Sequence, residues 1–97
     1  MKIYKDKELK NEITTLDFGI VLAGETKQYE FYLLNDSEAI LQSLSFKISH
    51  PEIKILETPK DLSRQETGKI TIEWTPTVTL KAPLKAKLEI DGYELYR

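Results

Sequence analysis

The residues that could carry chemistry in this 97-residue chain are carboxylates, lysines, hydroxyls and one histidine, His50. Cysteine is absent, which excludes disulfides, thiolate nucleophiles and zinc–thiolate sites. His50, which precedes Pro51, is the candidate for a pH-sensitive or catalytic site, because an unperturbed imidazole titrates near ~6.5; Glu52 lies next to it in the sequence. No residue nearby in the sequence resembles a nucleophile oriented by a third group. We therefore favour an exposed strand end turned by Pro51.

Two short motifs resemble functional signatures. Residues 17–19, Asp-Phe-Gly, copy the metal-binding tripeptide of protein kinases, but the glycine-rich loop and catalytic loop that accompany it are missing. Residues 35–37, Asn-Asp-Ser, fit an N-glycosylation acceptor. The N-terminal residues contain no apolar run of signal-peptide length, so a turn whose side chains bond their own backbone is the simpler interpretation. We expect a strand end at the first motif and a turn at the second.

The charge balance argues against nucleic acid as a partner. Fourteen Lys and Arg against sixteen Asp and Glu leave a formal net charge of −2, so the chain has no overall basic field for phosphate backbones. Lys85 and Lys87 form a short stripe on one predicted strand face, but Glu89 follows on that face. A solvated face is the better interpretation. We expect no nucleic acid, no metal, no cofactor and no turnover.

The elements that must position these residues are short strands. Apolar and polar residues alternate with a period of two, which is typical of strands with one buried and one wet face. Predicted strands cover residues 16–18, 27–33, 44–49, 53–55, 69–75 and 84–90, and turn residues or prolines separate them. This spacing predicts an all-β, antiparallel sandwich of about seven strands. Its predicted core consists of Leu33, Phe46, Ile48, Ile72, Trp74, Leu88 and Ile90.

The alternation slips in the last predicted strand. Its inward series reaches Ile90 and would continue through Gly92, whereas the next bulky apolar residues are Tyr93 and Leu95. A one-residue bulge at Asp91 and Gly92 would restore the face, because glycine tolerates the positive φ that a bulge can require. A tight Asp-Gly hairpin turn is the alternative. We favour the bulge.

Residues 1–11 are expected to form an N-terminal arm or a small hairpin, loosely attached to a sandwich that spans residues 12–97. They contain too few apolar residues to be buried by themselves. This segment could close on the domain's edge or add as a strand to a neighbouring subunit. The candidate interface residues, chosen as apolar or aromatic anchors, are Ile3, Tyr4, Tyr32 and Tyr96.

Three segments together resemble one family. They are residues 16–21, Leu-Asp-Phe-Gly-Ile-Val, residues 31–37, Phe-Tyr-Leu-Leu-Asn-Asp-Ser, and residues 70–76, Ile-Thr-Ile-Glu-Trp-Thr-Pro. Their order and spacing resemble those of the ASH and major-sperm-protein group of immunoglobulin-like domains, and residues 88–90, Leu-Glu-Ile, are similar to its final strand. This resemblance covers residues 13–92 and implies an immunoglobulin-like sandwich that binds other proteins or sits inside assemblies. It implies no catalytic residues.

These expectations converge on a structural or interaction module without enzymatic activity. The first hypothesis is an accessory protein that decorates the head or tail of a phage virion, by analogy from size and fold. The second is a cellular adaptor domain of the ASH type, excised from or acting within a longer protein. We expect protein partners, either assembly subunits or further copies, no membrane, and a monomer or weak oligomer in isolation. The expected location is virion or cytoplasmic, without secretion by a signal peptide.

Overall fold

Nine short strands make up the fold in the computed structural model, which describes residues 1–96. They are β1 (Lys2–Tyr4), β2 (Glu12–Ile13), β3 (Leu16–Gly19), β4 (Lys27–Leu34), β5 (Ile40–Ile48), β6 (Ile53–Glu57), β7 (Thr67–Trp74), β8 (Leu84–Ala86) and β9 (Leu88–Leu95). Every ladder between these strands is antiparallel. No helix occurs in the described part of the chain. The all-β antiparallel class predicted from the alternation is confirmed.

The strands form two layers. One layer is a five-stranded sheet in the order β2-β1-β4-β7-β6, and the other contains the ladders β3-β8 and β5-β9. Only Lys87 separates β8 from β9, so they continue one another; the first part pairs with β3 and the second with β5. β3 follows the edge strand β2, whereas β5 leads into the opposite edge strand β6. β8 and β9 therefore run between β3 and β5.

The core lies between the layers, under the middle of the five-stranded sheet. Leu33 of β4 and Ile72 and Trp74 of β7 are completely buried. Phe18 of β3 packs against this sheet from the other layer, and its ring centroid lies 4.9 Å from that of Tyr29 and 6.3 Å from that of Trp74, both edge-on. Burying one large apolar side chain contributes about 1.5–3 kcal/mol. This aromatic and aliphatic cluster holds the two layers together.

The remaining predicted core residues are less buried than expected. Phe46, Ile48 and Leu88 pack against the cluster but keep part of their surface exposed, and Ile90 is also only half-buried. The layer that carries them consists of two two-stranded ladders, β3-β8 and β5-β9, and it faces a sheet of five strands. Its inward side chains are consequently not covered on every side.

Strand β9 continues through Asp91 and Gly92, so the predicted bulge at this position and its hairpin alternative are both wrong. The extra residue lies in the partner strand. Gln42 is opposite Tyr93 and Ser45 is opposite Asp91, so β5 advances by three residues while β9 advances by two. The slip in the alternation of β9 therefore reflects a bulge in β5 and not one in β9 itself.

The bulge in β5 explains why a glycine stands in β9. Ser43 adopts a left-handed conformation with φ of 53°. The next side chain, Leu44, crosses the ladder, and a Cβ added to Gly92 would lie 2.9 Å from Leu44 Cδ2. Since β9 stays regular, Tyr93 remains on the outer face, where 73% of its surface is exposed.

Of the two alternatives expected for residues 1–11, the structure shows a small hairpin with β2 at the edge of the five-stranded sheet and not a loosely attached arm. β1 pairs with the end of β4 on one side and with β2 on the other. The turn between β1 and β2 is held by Asp6, whose carboxylate accepts the backbone N–H groups of Lys10 at 3.0 Å and Asn11 at 2.7 Å. The amino group of Met1 lies 3.1 Å from Asp36 Oδ1. These two added strands help to raise the count from about seven to nine.

The molecule is elongated. Its Cα radius of gyration is 14.4 Å and its extents are 48 × 25 × 16 Å, whereas a compact domain of this length has a radius of about 12.5 Å. The loops after β3 and after β7 lie at one end of the strands, and the turn after β4 and the end of β9 lie at the other. Residues 1–96 include no helix that could span a lipid bilayer.

Candidate functional site

The His50–Glu52 pair is engaged in structural contacts. Glu52 Oε2 accepts hydrogen bonds from the Thr77 backbone N–H at 2.9 Å and the Thr77 hydroxyl at 2.6 Å. These bonds lower the pKa of Glu52, and the nearby Trp74 indole and His50 ring lower it further. His50 Nδ1 accepts the Glu52 N–H at 3.3 Å, and its ring packs edge-on against Trp74 with centroids 6.4 Å apart. The pair thus fastens the β5–β6 turn to the loop after β7.

Asn35 is a buried polar centre. Its side chain is completely buried. Nδ2 donates to the carbonyl oxygens of Ala39 at 2.8 Å and Ser63 at 3.0 Å, and it also contacts the Leu62 oxygen at 3.1 Å. Oδ1 accepts the N–H and hydroxyl of Ser37. Because the amide nitrogen is buried and bonded to the backbone, the folded chain does not present it to a glycosylating enzyme, and residues 35–37 form the expected turn.

The Asp-Phe-Gly tripeptide terminates β3. Asp17 Oδ1 accepts the Gly19 N–H at 2.9 Å, and Gly19 has a φ of 65°, a conformation that glycine adopts most easily. Phe18 between them is buried in the core. No cluster of three or more His, Cys, Asp or Glu side chains that could hold a metal ion occurs within residues 1–96.

The four predicted interface residues do not form one exposed surface, although Tyr4 and Tyr32 are cross-strand neighbours. Ile3 is partly buried and packs against the core. Tyr4 is only 9% exposed, so its choice as a surface aromatic is wrong; β1 has a strand on each side, and Tyr4 lies directly opposite Tyr32. Tyr32 is half-buried, and Tyr96, which is 65% exposed, follows β9 in the other layer. Both make a short-range hydrogen bond to a glutamate two residues earlier.

A different surface displays four of the exposed large apolar side chains. Two loops at one end of the sandwich, residues 20–26 and 75–83, carry Ile20 (51% exposed), Leu22 (57%), Val78 (64%) and Leu80 (37%). We call these four residues the loop-end patch. Period-two alternation does not identify these four residues, because they lie in loops and not in strands. The available signal was the presence of apolar residues in two segments rich in turn formers, after Gly19 and after Pro76.

Hydrogen bonds hold the two loops of the loop-end patch against each other. Gly24 N–H donates to the Pro76 carbonyl oxygen at 2.8 Å. Ala23 N–H donates to the Thr79 hydroxyl at 2.8 Å. Thr26 and Thr75 share a further hydroxyl–hydroxyl bond of 2.7 Å at the base of the loops. The patch is therefore preorganised, which limits the conformational entropy lost when a partner covers it.

An open groove of about 570 Å³ lies beside the patch end, between β3 and the start of β4. Tyr29 forms part of its wall, and the Tyr29 hydroxyl donates to the Phe18 carbonyl oxygen at 2.6 Å. Burial raises the pKa of Tyr29, and the Asp17 carboxylate adds to this effect. Lys27 Nζ lies 5.2 Å from the Tyr29 ring centroid. The Tyr29 hydroxyl, the Asp17 carboxylate and the Lys27 ammonium that line this groove therefore each have a neighbour in the fold.

Comparison of the chain with protein-family models, curated proteins and solved structures gives no match.

Proposed function

We propose that this protein is a non-enzymatic interaction module whose loop-end patch docks on another protein. The observation that carries the proposal is the display of four aliphatic side chains on two hydrogen-bonded loops. Exposed apolar surface costs about 25 cal/mol per Å² relative to burial, so covering these side chains favours association. Contiguous exposed apolar patches are typical of protein interaction sites.

The partner that we propose is a subunit of a large assembly, with a phage virion as the best candidate. A small, elongated sandwich with one apolar end is suited to attach by that end to a repeated surface, where many copies dock in the same way. The 48 Å length leaves the opposite end away from the attachment point. Size and shape support this proposal by analogy.

An adaptor domain of the ASH type is the second candidate. Asn35 favours it, because this buried side chain closes the turn at the end of β4, where the resemblance has its characteristic asparagine. In that case the loop-end patch would bind a single cellular protein in place of a repeated surface.

The test compares the wild-type chain with a double variant, Leu22→Ser with Val78→Ser. Leu56→Ser is the matched control, because Leu56 is 47% exposed but lies on β6. Tagged proteins are expressed in the cells that naturally produce the chain, and the extracts are separated by size-exclusion chromatography. Wild type and control are expected in a high-mass fraction, whereas the double variant elutes as the free 11.2 kDa chain with an unchanged melting temperature.

Electron microscopy of the high-mass fraction separates the two candidates. Particles with added density indicate an assembly subunit, and a discrete complex indicates an adaptor. If the wild type elutes only as a free chain, or if the double variant stays in the high-mass fraction, the loop-end patch is not the docking site.

A further inference from the structure

Within residues 1–96, strand β9 pairs with only one other strand, β5. Its eight residues, Leu88–Leu95, pair with β5 along one edge. Along the other edge, β3 reaches only as far as β8, and within residues 1–96 no further strand or loop forms backbone hydrogen bonds with β9. An edge of eight residues is about 27 Å long. Such a row of unpaired N–H and C=O groups is a template for an added strand.

A cavity opens beside this free edge. It has a volume of about 250 Å³ and lies between the N-terminal residue and the β5–β9 ladder. Its apolar lining includes Leu41 and Leu44 of β5 and Ile90 of β9. The side chains of an added strand would alternate between the two faces of the layer, so its inward residues would reach this cavity. The edge therefore combines backbone pairing with a pocket for side chains.

The charges along the edge indicate the charge that a bound strand should carry. Glu89 lies opposite Lys47 on β5, which balances it. Asp91 lies opposite Ser45, and Glu94 lies opposite a leucine, so neither has a cation across the ladder. The ion pairs found within residues 1–96 do not include either of them. Asp91 points to the outward face of β9 and Glu94 to the inward face, since the strand is regular. An added strand would place a cationic side chain opposite Asp91 at a favourable cross-strand distance.

A second copy of this chain fits the edge poorly. Antiparallel pairing of two β9 strands about Asp91 places the two aspartates directly opposite each other, and like charges in that position are destabilising. Antiparallel pairing about Gly92 instead places the apolar Ile90 of one copy opposite the Glu94 carboxylate of the other, which is a poor match. A distinct segment with apolar and cationic residues in alternation meets both requirements of the edge.

We propose that the free edge of β9 binds an extended segment of a partner protein by strand addition, with apolar side chains in the cavity on the inward face and Lys or Arg opposite Asp91 on the outward face. This is a second surface, independent of the loop-end patch and at the opposite end of the strands. Together the two surfaces would let one copy of the protein join two partners.

The experiment uses the full chain and two eight-residue probe peptides, one of alternating valine and lysine and one of alternating valine and glutamate. Isothermal titration calorimetry gives the affinities, and NMR hydrogen exchange locates the protected amides. We expect the lysine peptide to bind at least roughly threefold more tightly than the glutamate peptide, since the cross-strand charge pair with Asp91 changes sign between them. Protection is expected in residues 88–95.

Asp91→Lys should reduce or reverse the preference for the lysine peptide, because the charge lies on the proposed edge. Glu57→Lys, the same charge change on the edge strand β6, is the matched control and should leave the preference unchanged. The Leu22→Ser, Val78→Ser variant should bind the lysine peptide like the wild type, so this surface is tested separately from the loop-end patch.

Three outcomes would overturn the proposal. They are equal binding of both peptides, protection that maps outside residues 88–95, and concentration-dependent protection of these residues in the chain alone. The last would identify a second copy as the occupant.

Discussion

Asn35 Nδ2 lies 2.8 Å from the carbonyl oxygen of Ala39, and this hydrogen bond closes the turn between β4 and β5. The same amide group also bonds to the loop before β7, through Ser63 at 3.0 Å. One buried side chain therefore satisfies the backbone of two loops at the end of the sandwich opposite the loop-end patch. A buried carbonyl oxygen left without its donor costs about 1–3 kcal/mol.

Replacing Asn35 with Ala should lower the free energy of unfolding by about 3 kcal/mol or more, because several buried backbone oxygens lose their donor at once. Urea denaturation followed by Trp74 fluorescence measures the change. Asn11→Ala, on an exposed turn, is the matched control and should stay within about 0.5 kcal/mol of the wild type. Equal stability of the two variants would contradict the role assigned to Asn35.

Tyr4→Ala should destabilise the fold by about 3 kcal/mol, because the side chain is 9% exposed and its removal leaves a cavity beside Tyr32. Deleting residues 1–11 should cost more, since the whole of β1 leaves the sheet. Thermal melting monitored by circular dichroism tests both changes. Tyr96→Ala, at an exposed position, should melt with the wild type. A deletion variant as stable as the full chain would show that β1 is dispensable.

Gly92→Val should destabilise the protein by about 1–3 kcal/mol, because the new Cβ would meet Leu44 Cδ2 at 2.9 Å and the Gln42 carbonyl oxygen at 3.1 Å. In a double-mutant cycle, Leu44→Ala removes the first clash and should recover about 1 kcal/mol of that cost. Urea denaturation supplies the four free energies. Additive effects would mean that Leu44 does not cross the ladder towards Gly92.

The Glu52 carboxylate should make stability depend on pH. Its pKa in the folded chain is below the ordinary value of 4.5, chiefly because Thr77 donates two hydrogen bonds to the charged form. The bonds therefore stabilise the fold above pH 4.5, and this contribution is lost as the pH falls through the lowered pKa.

Urea midpoints of the wild type and Glu52→Gln should accordingly differ most at pH 7 and converge at low pH. Thr77→Val, which removes the hydroxyl donor but keeps the backbone donor, should reduce the difference at pH 7. A difference between wild type and Glu52→Gln that is the same at all pH values would contradict the assignment.

Local sequence pattern determined the strands and their buried faces. The alternation around Ile72 and Trp74, and around Leu33, identified core residues correctly because a strand's side-chain period is fixed by its backbone. The turn at Asn35 also followed from local chemistry, since a short amide side chain bonds to nearby backbone groups in any turn of this kind. These features depend on neighbours in the chain.

Tertiary structure decided the features that depend on partners distant in the chain. The slip at Gly92 reflects a bulge in β5, and the pattern of β9 alone could not assign it to either strand. Tyr4 is buried because β1 pairs with β4. The N-terminal segment contains too few apolar residues for its sequence alone to specify this pairing. The loop-end patch and the free edge of β9 exist only because distant segments meet, or fail to meet, in space. Pairing between distant segments is set by the sum of many long-range contacts, so local periodicity determines which side of a strand is apolar but not what covers it.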